Sequence, residues 1–414
     1  MNTLLQSVTL HERAHPLHNK IVDIRISQGI ITAIAERLPV DSQDQAIAMK
    51  DTSVSYGWFD PEVSFSQPGY EHKGLLENDL REAAYAGLAS VGLMTETLPY
   101  PDNGSALTFY KSFAPQAVSL YPFGSLTLNN KGEALAELYD LFQKGAIGFY
   151  DYKRPLIEAN LLKLALQYSQ NFKGKVVVFC QDHSLSKGGQ VRESASNVSL
   201  GLKAIPDLSE ELAVQQCISL LRYTGGNLHL CGISSTRSID LIAQAKEEGL
   251  QLSCSVAIGL LYFDESALQS FDTRYKITPG LTDNTTRQRL IEAVKAGIID
   301  YVTSDHQNVS VEEKDTEFSE ASFGSKTLSG LFPALCNIFG PELAPDLLLR
   351  AYQTYGIGPS EIKVHQPAHL SFYKEATHQI IEKEAQTNLF HGTEFSFKGI
   401  GVFSNNQLVL TPSS

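Results

Sequence analysis

The sequence has no run of about 18–20 uninterrupted apolar residues, the length a membrane helix requires, and its start, MNTLLQSVTLHERAH, meets charged groups before any apolar core forms. A soluble, cytoplasmic protein is therefore expected. It is also short of positive charge: 33 Lys and Arg stand against 46 Asp and Glu, a formal net charge of -13 with no basic run. That balance disfavours nucleic acid as a partner and leaves proteins or small molecules. Cysteine is sparse. Cys180, Cys217, Cys231, Cys254 and Cys336 are too widely spaced for a CxxC metal knuckle, and their odd number argues against a disulfide framework. Reduced, buried thiols are expected. No internal repeat or low-complexity segment is evident.

What is present is a globular composition. With 414 residues, 43% hydrophobic and 19% charged, the chain is long enough for one barrel-sized α/β domain and a satellite. The first 55 residues read as short β runs (SVTL, KIVDIRIS, GIITAIA) separated by turn residues. Strand-like runs then alternate with amphipathic segments: ASVGLM, AIGFYDY, KVVVFC, NLHLCGIS, LQLSCSVAI and IIDYVTSD are interleaved with helical stretches such as LIEANLLKLALQYSQNF and TTRQRLIEAVKAG. Repeated β-then-α units imply parallel strands with crossover helices. Gly145, Gly249 and Gly297 stand at helix stops, and Ser209 before Glu210 and Glu211 reads as an N-cap. After His365 short β pieces return. The expected architecture is α/β: a (β/α)8 TIM-type barrel over 56–364, beside a small β domain composed of 1–55 and 365–414.

In such a barrel the chemistry sits at the C-terminal strand ends. Read in order, these carry Glu62 and Ser64, then Glu96, Asp151, Phe179, Gly232, and finally Asp305 with His306. Only Asp305 and His306 look like paired functional groups. His229 lies inside an apolar strand and reads as a packed, hydrogen-bonded histidine. His11, His15 and His18 fall in a strand and hairpin, which argues against a metal role. The acidic EEKDTEFSEAS around Lys314 reads as a solvated loop.

The stretches FDPEVSFSQPGYEHKGLLENDLREAAYAGLASVGLMTETLP, VSLGLKAIPDLSEELAV, YKITPGLTDNTTRQRLIEAVKAGIIDYVTSDH and FHGTEFSFKGIGVF resemble the type I dihydroorotases of the amidohydrolase superfamily, over nearly the whole chain. The resemblance implies an amidohydrolase barrel flanked by a β domain from both termini. It also implies a His-x-His zinc pair and a Phe-Arg after the first strand, where this chain has Glu62, Ser64, Phe65 and Ser66. Neutral Ser66 cannot reproduce a guanidinium's bidentate hold on a substrate carboxylate. The family's substrate-binding asparagine corresponds to Glu96, which opposes an anionic substrate. Two later histidine ligands correspond to Phe179 and Gly232. The closing Thr-Asp-His-Ala-Pro-His corresponds to Ser304 through Val309, so the general-base aspartate survives as Asp305 and the last histidine becomes Val309. Asp151, or its neighbour Tyr152, matches an acidic position that can bridge two metals.

On this pattern the chain is most like the family's inactive members, and no metal or other cofactor is expected. Any remaining site would consist of Asp151, Asp305 and Glu62, an all-oxygen set better suited to Mg²⁺, Ca²⁺ or Mn²⁺ than to zinc. His183 cannot replace Phe179, since four residues of extended chain span about 13 Å. Asp305-His306 is expected to be vestigial, and Phe179 and Gly232 to fill or vacate the former metal cavity. The expected role is that of a noncatalytic structural or regulatory partner of aspartate transcarbamoylase in pyrimidine biosynthesis, itself a homo-oligomer. Two alternatives stand beside it: a working dihydroorotase or other zinc-dependent cyclic amide hydrolase, and a metal-free module binding a small ligand through Glu62 and Glu96 with Lys153 or Arg154.

Overall fold

Seven strands run parallel around one axis: Trp58–Ser64, Leu88–Leu93, Ser119–Pro122, Val176–Phe179, Leu228–Cys231, Leu252–Ala257 and Tyr301–Thr303. The computed structural model describes residues 2–111, 113, 116–155, 158–358 and 361–412. Between the third and fifth strands, Phe149 makes parallel bridges to Gly124 and Val176 and supplies the fourth stave. The eighth strand breaks at Ser304 and Asp305, the latter at φ 52°. It resumes as His306–Gln307, paired with Val63 and Ser64 of the first strand. The (β/α)8 barrel thereby closes, and the break lies at its C-terminal end, where the chemistry of such barrels resides.

The outer helices begin and end where their sequences allow. Asp283 and Ser235 accept backbone N–H bonds as N-caps of Asn284–Lys295 and Thr236–Glu247. Gly145, Gly249 and Gly297 follow helix ends at φ 93°, 82° and 74°. Ser209 is not the N-cap expected of it: the helix Leu208–Thr224 starts after Asp207, and the Ser209 hydroxyl donates to the Asp182 carbonyl at 3.0 Å. The loop around Lys314 also departs from expectation. Glu312, Asp315 and Glu317 face solvent, but Lys314 is 1% exposed. Its ammonium donates to the carbonyls of Thr273 (2.9 Å), Ser322 (2.8 Å) and Lys276 (3.3 Å). Burial pushes it down to about 7, the nearby Lys276 adding to the effect. The segment is a pinned cover, because an ammonium takes three carbonyls that would otherwise lose their hydrogen bonds on burial.

Both chain ends build the second domain. Its seven-stranded sheet runs Gln407–Leu410, Glu394–Ser404, Leu370–Gln379, Asp44–Tyr56, Asn2–His11, Ile21–Ser27, Ile30–Ala35. It has its own core around Leu5, Val8, Ile24, Val54, Leu370 and Phe372. Asp44–Tyr56 passes through Gly57 straight into the first barrel strand, so the sheet sets where that strand starts. The C-terminal hairpin leans on the barrel, with Phe390 and Phe395 in the barrel's own core. Gly399 passes so close to the helix Leu76–Tyr85 that a Cβ there would sit 2.1 Å from the Ala86 carbonyl oxygen. Gly399→Ala is therefore expected to cost about 1–3 kcal/mol through forced backbone displacement, read as a lower midpoint in urea unfolding with an unchanged slope.

Candidate active site at the barrel mouth

Glu62 points into the barrel and is consumed there. Its Oε1 accepts from the Ser255 hydroxyl at 2.5 Å and the Tyr301 hydroxyl at 2.8 Å, with His229 Nε2 at 3.6 Å. The Tyr301 hydroxyl also lies 2.9 Å from His229 Nε2 and 3.0 Å from the Tyr355 hydroxyl. His229 stacks on the Tyr301 ring at 5.1 Å and meets Ser253 through Nδ1 at 2.9 Å. Burial pushes Glu62 up, but the bonds and charge of His229, with those of Ser255 and Tyr301, outweigh it and hold the carboxyl below its ordinary value. His229 is pushed down by its own burial against the pull of Glu62. A carboxylate beside an imidazole results, with partners that fix each rotamer.

Next to it, the Ser64 hydroxyl and the Gln307 amide both donate to Glu96 Oε2, at 3.0 and 3.1 Å. Burial raises the Glu96 carboxyl, partly offset by Ser64 and by the Lys153 charge. Asp305 is gripped from across the mouth by Lys153, Nζ to Oδ2 2.7 Å, each side chain 13% exposed. Burial pushes Asp305 up to about 6 against the lysine's pull, with Glu62 and Glu96 adding repulsion. Lys153 thus serves Asp305 rather than the Glu62 and Glu96 pocket anticipated for it. Arg154 turns away to the Asn130 carbonyl and the Tyr100 hydroxyl, at 3.0 and 2.9 Å.

Asp151 does not reach this group. Its Oδ1 accepts the backbone N–H groups of Leu126 (2.9 Å) and Thr127 (3.0 Å), and its Oδ2 takes the Thr127 hydroxyl. Strand neighbours face opposite ways, and it is Tyr152 that faces inward, buried, its hydroxyl without a hydrogen-bond partner among the described residues. Tyr152 joins Met94, Phe123, Tyr150, Val177, Phe179 and Cys231 in one apolar cluster. Gly232, at φ 68°, leaves room for it: a Cβ there would stand 3.2 Å from Pro279 and 3.5 Å from the Phe179 ring.

Asp305 and His306 are not a pair. The His306 ring accepts the Thr327 N–H at Nδ1 (3.0 Å) and meets the Asn308 side-chain oxygen through Nε2 (3.0 Å). Burial lowers it to about 3, so it is a neutral ring fixed in one tautomer and turned away from the mouth. Val309 and Ser66 are buried, and the Ser66 carbonyl receives the Tyr70 N–H at 2.9 Å. His183 is exposed on its own short helix. All five cysteines are free and buried.

A model of the dihydroorotase-like family matches residues 54–238. The chain is 32% identical over 308 residues to a dihydroorotase of Acetivibrio thermocellus, covering 74% of this chain and 72% of the relative. The chain belongs to the dihydroorotase-like family. A Bacillus subtilis dihydroorotase is 28% identical over 387 residues, covering 91% and 90% of the two chains. The fold of this dihydroorotase-like protein matches solved hydantoinases: the L-hydantoinase (dihydropyrimidinase) of Arthrobacter aurescens superposes at TM-score 0.84, with 18% identity over 100% of this chain and 96% of that one. A D-hydantoinase gives 0.80 at 16% identity, over 99% and 95%. The amidohydrolase barrel with its β domain is thus the fold of this chain.

The resemblance implies zinc, and the side chains present do not fit it. Among the described residues no three His, Cys, Asp or Glu side chains converge as a metal group. Phe179 and Gly232 offer no donor, Asp151 is saturated by the 126–127 backbone and the Thr127 hydroxyl, and Asp305 already faces an ammonium. A dication there would meet the Lys153 charge at contact distance, with no thiolate or imidazole to favour it. Of the residues singled out from sequence, the structure gathers Glu62, Ser64, Glu96 and Asp305 and leaves Asp151, His306 and Val309 apart. Tyr301 and Tyr355 were not foreseen. Tyr301 opens the short strand Tyr301–Thr303 and Tyr355 closes the polar helix Arg350–Tyr355, so neither stood out from its neighbours.

Proposed function

We propose that this dihydroorotase-like protein is noncatalytic and acts as a structural or regulatory partner of aspartate transcarbamoylase in pyrimidine biosynthesis. The observation that carries the first half is the Lys153–Asp305 ion pair, 2.7 Å long and largely buried, in a mouth otherwise packed with Tyr152 and Phe179. An internal ammonium neutralises the carboxylate that family chemistry needs as a base. The second half rests on resemblance to inactive family members that associate with that enzyme. Barrel packing can outlast chemistry, since strand interiors and helix faces are separate from a few strand-end groups.

A working cyclic amide hydrolase is the second reading. The names of the relatives favour it, as does an Asp305 carboxyl raised to about 6, near the range that suits a general base. A ligand pocket using Glu62 and Glu96 has less support, because both carboxylates already hold internal donors. The deciding experiment is elemental analysis of protein purified without chelator and supplied with zinc, alongside a dihydroorotate ring-opening assay. Near-zero zinc, no turnover and co-purification with aspartate transcarbamoylase are expected. One or two tightly held zinc ions with ring opening would establish the hydrolase instead.

A further inference from the structure

A cavity beside the mouth shares Phe179 with the apolar cluster. Gln181, Gln190, Arg192 and Asp207 also line it, whereas Ser66, Glu96 and Val309, the positions where the resemblance places substrate contacts, do not. Its 40 Å³ for water centres is room for about three waters, or for one group of about three or four heavy atoms. Arg192 is built into the wall. It lies on the short strand Val191–Arg192, paired with Ala204–Ile205, and its carbonyl receives the Asn197 side-chain amide at 2.9 Å. Its side chain is 9% exposed. Nη1 donates to the Ser234 carbonyl at 2.8 Å, and Nε touches Asp207 Oδ1 at 2.6 Å in a contact of charges that is not aligned as a hydrogen bond. Nη2 is buried and has no partner among the described residues. A buried guanidinium donor is costly to leave unmet, and here its residue lines a cavity large enough to supply an acceptor.

Charge and polarity narrow what that acceptor is. Asp207 already balances Arg192, and Glu210, which also lines the cavity, is taken by the Ser234 and Ser235 N–H groups and the Ser234 hydroxyl. An incoming anion would meet both carboxylates, and like charges at close quarters are strongly disfavoured. A cation would leave Nη2 unmet. Gln190 has its Oε1 engaged by the Lys276 ammonium at 3.2 Å, which leaves its amide N–H groups to donate. The Gln181 side chain has no hydrogen bond among the described residues and offers an oxygen that can accept. We propose that this cavity binds the primary carboxamide of a small molecule. The carboxamide oxygen accepts from Arg192 Nη2 and Gln190, and its NH₂ group donates to Asp207 and Gln181. A carboxylate of the same shape offers acceptors alone and an alkylammonium donors alone, whereas the amide answers both kinds of wall.

The test is saturation-transfer NMR on the full chain with acetamide, and with acetate and ethylammonium as charged probes of similar size. Acetamide is expected to bind saturably with a dissociation constant of about 1–10 mM, an ordinary strength for so few heavy atoms, and the charged probes at least tenfold more weakly. Arg192→Met is expected to weaken acetamide at least tenfold with circular dichroism unchanged. Asp207→Asn, at a side chain 40% exposed, leaves the guanidinium unbalanced and is expected to bring acetate level with acetamide or above it. This second variant decides the matter should Arg192→Met not fold. Wild type that binds no acetamide saturably, as when waters alone fill the cavity, or that binds acetate at least as tightly, overturns the proposal. So does undiminished acetamide binding by folded Arg192→Met, or an unchanged probe preference in Asp207→Asn. Glu62, Glu96 and Asp305 do not line this cavity, so the result is independent of whether the mouth binds zinc or hydrolyses anything.

Discussion

Lys153→Met is expected to lower unfolding free energy at pH 7 by about 3–5 kcal/mol, the loss seen when one member of a buried pair is removed and the other is left charged. Asp305 sets the pH dependence. Its folded value, about 6, lies above the ~3.9 of an unfolded aspartate, so the native state holds this proton more tightly. That preference stabilises at low pH and is lost as pH rises through about 4 to 6. Without Lys153 the carboxyl rises further and the window widens upward. Urea unfolding should therefore show wild type and Lys153→Met converging near pH 4 and separating steadily toward neutrality. Adding Asp305→Leu removes the orphaned charge and should restore most of the loss, since apolar replacement of a buried pair is often neutral or stabilising. A loss under about 1 kcal/mol at pH 7, typical of an exposed pair, would show that the bridge does not hold the mouth closed.

That ion pair also marks the limit of what the sequence could reveal. The barrel was legible because alternating strand and helix runs leave few alternatives, and four residues read off the strand ends, Glu62, Ser64, Glu96 and Asp305, do converge. Side-chain direction was not legible, because a shift of one residue along a strand reverses it. So Asp151 and Tyr152 were left as alternatives, and the carboxylate turned outward to Leu126 and Thr127 while the ring turned in. Partners separated by long stretches of chain were equally hidden: Lys153 meets Asp305 across 152 positions and Tyr301 meets Glu62 across 239. The Asp305-His306 dipeptide looked like a pair because adjacency in sequence was mistaken for convergence. Asp305 at φ 52° breaks the strand between them and sends the imidazole to Thr327 and Asn308. Lys314 was misread for a related reason, since an acidic run gives no hint of three carbonyls waiting elsewhere for an ammonium.

Restoring the family's four histidines together, as Glu62→His, Ser64→His, Phe179→His and Gly232→His, is expected to yield a chain that neither folds stably nor retains zinc. Gly232 sits at φ 68°, where a side chain costs about 1–2 kcal/mol, and its new Cβ would press on Pro279 at 3.2 Å. Histidine at Phe179 takes a ring out of the apolar cluster and places an unpaired polar group there, about 3–5 kcal/mol by analogy with aromatic truncation in cores. Losing the Glu62 carboxylate removes the charged acceptor shared by the Ser255 and Tyr301 hydroxyls, about 1–3 kcal/mol more. The sum, about 5–10 kcal/mol, is comparable with the whole stability of an ordinary domain. Zinc can offset such losses only if its ligands converge, and here Asp151 stays with Leu126 and Thr127 while Lys153 holds Asp305 and repels a dication. Circular dichroism and elemental analysis of the purified quadruple variant decide the matter. A folded chain with one zinc per molecule would mean that the ligands alone were missing, whereas an unfolded, metal-free chain means that the packing around Phe179, Tyr152 and Lys153 has itself been rebuilt, so that reversal would have to begin with Lys153 and the apolar cluster before any histidine could help.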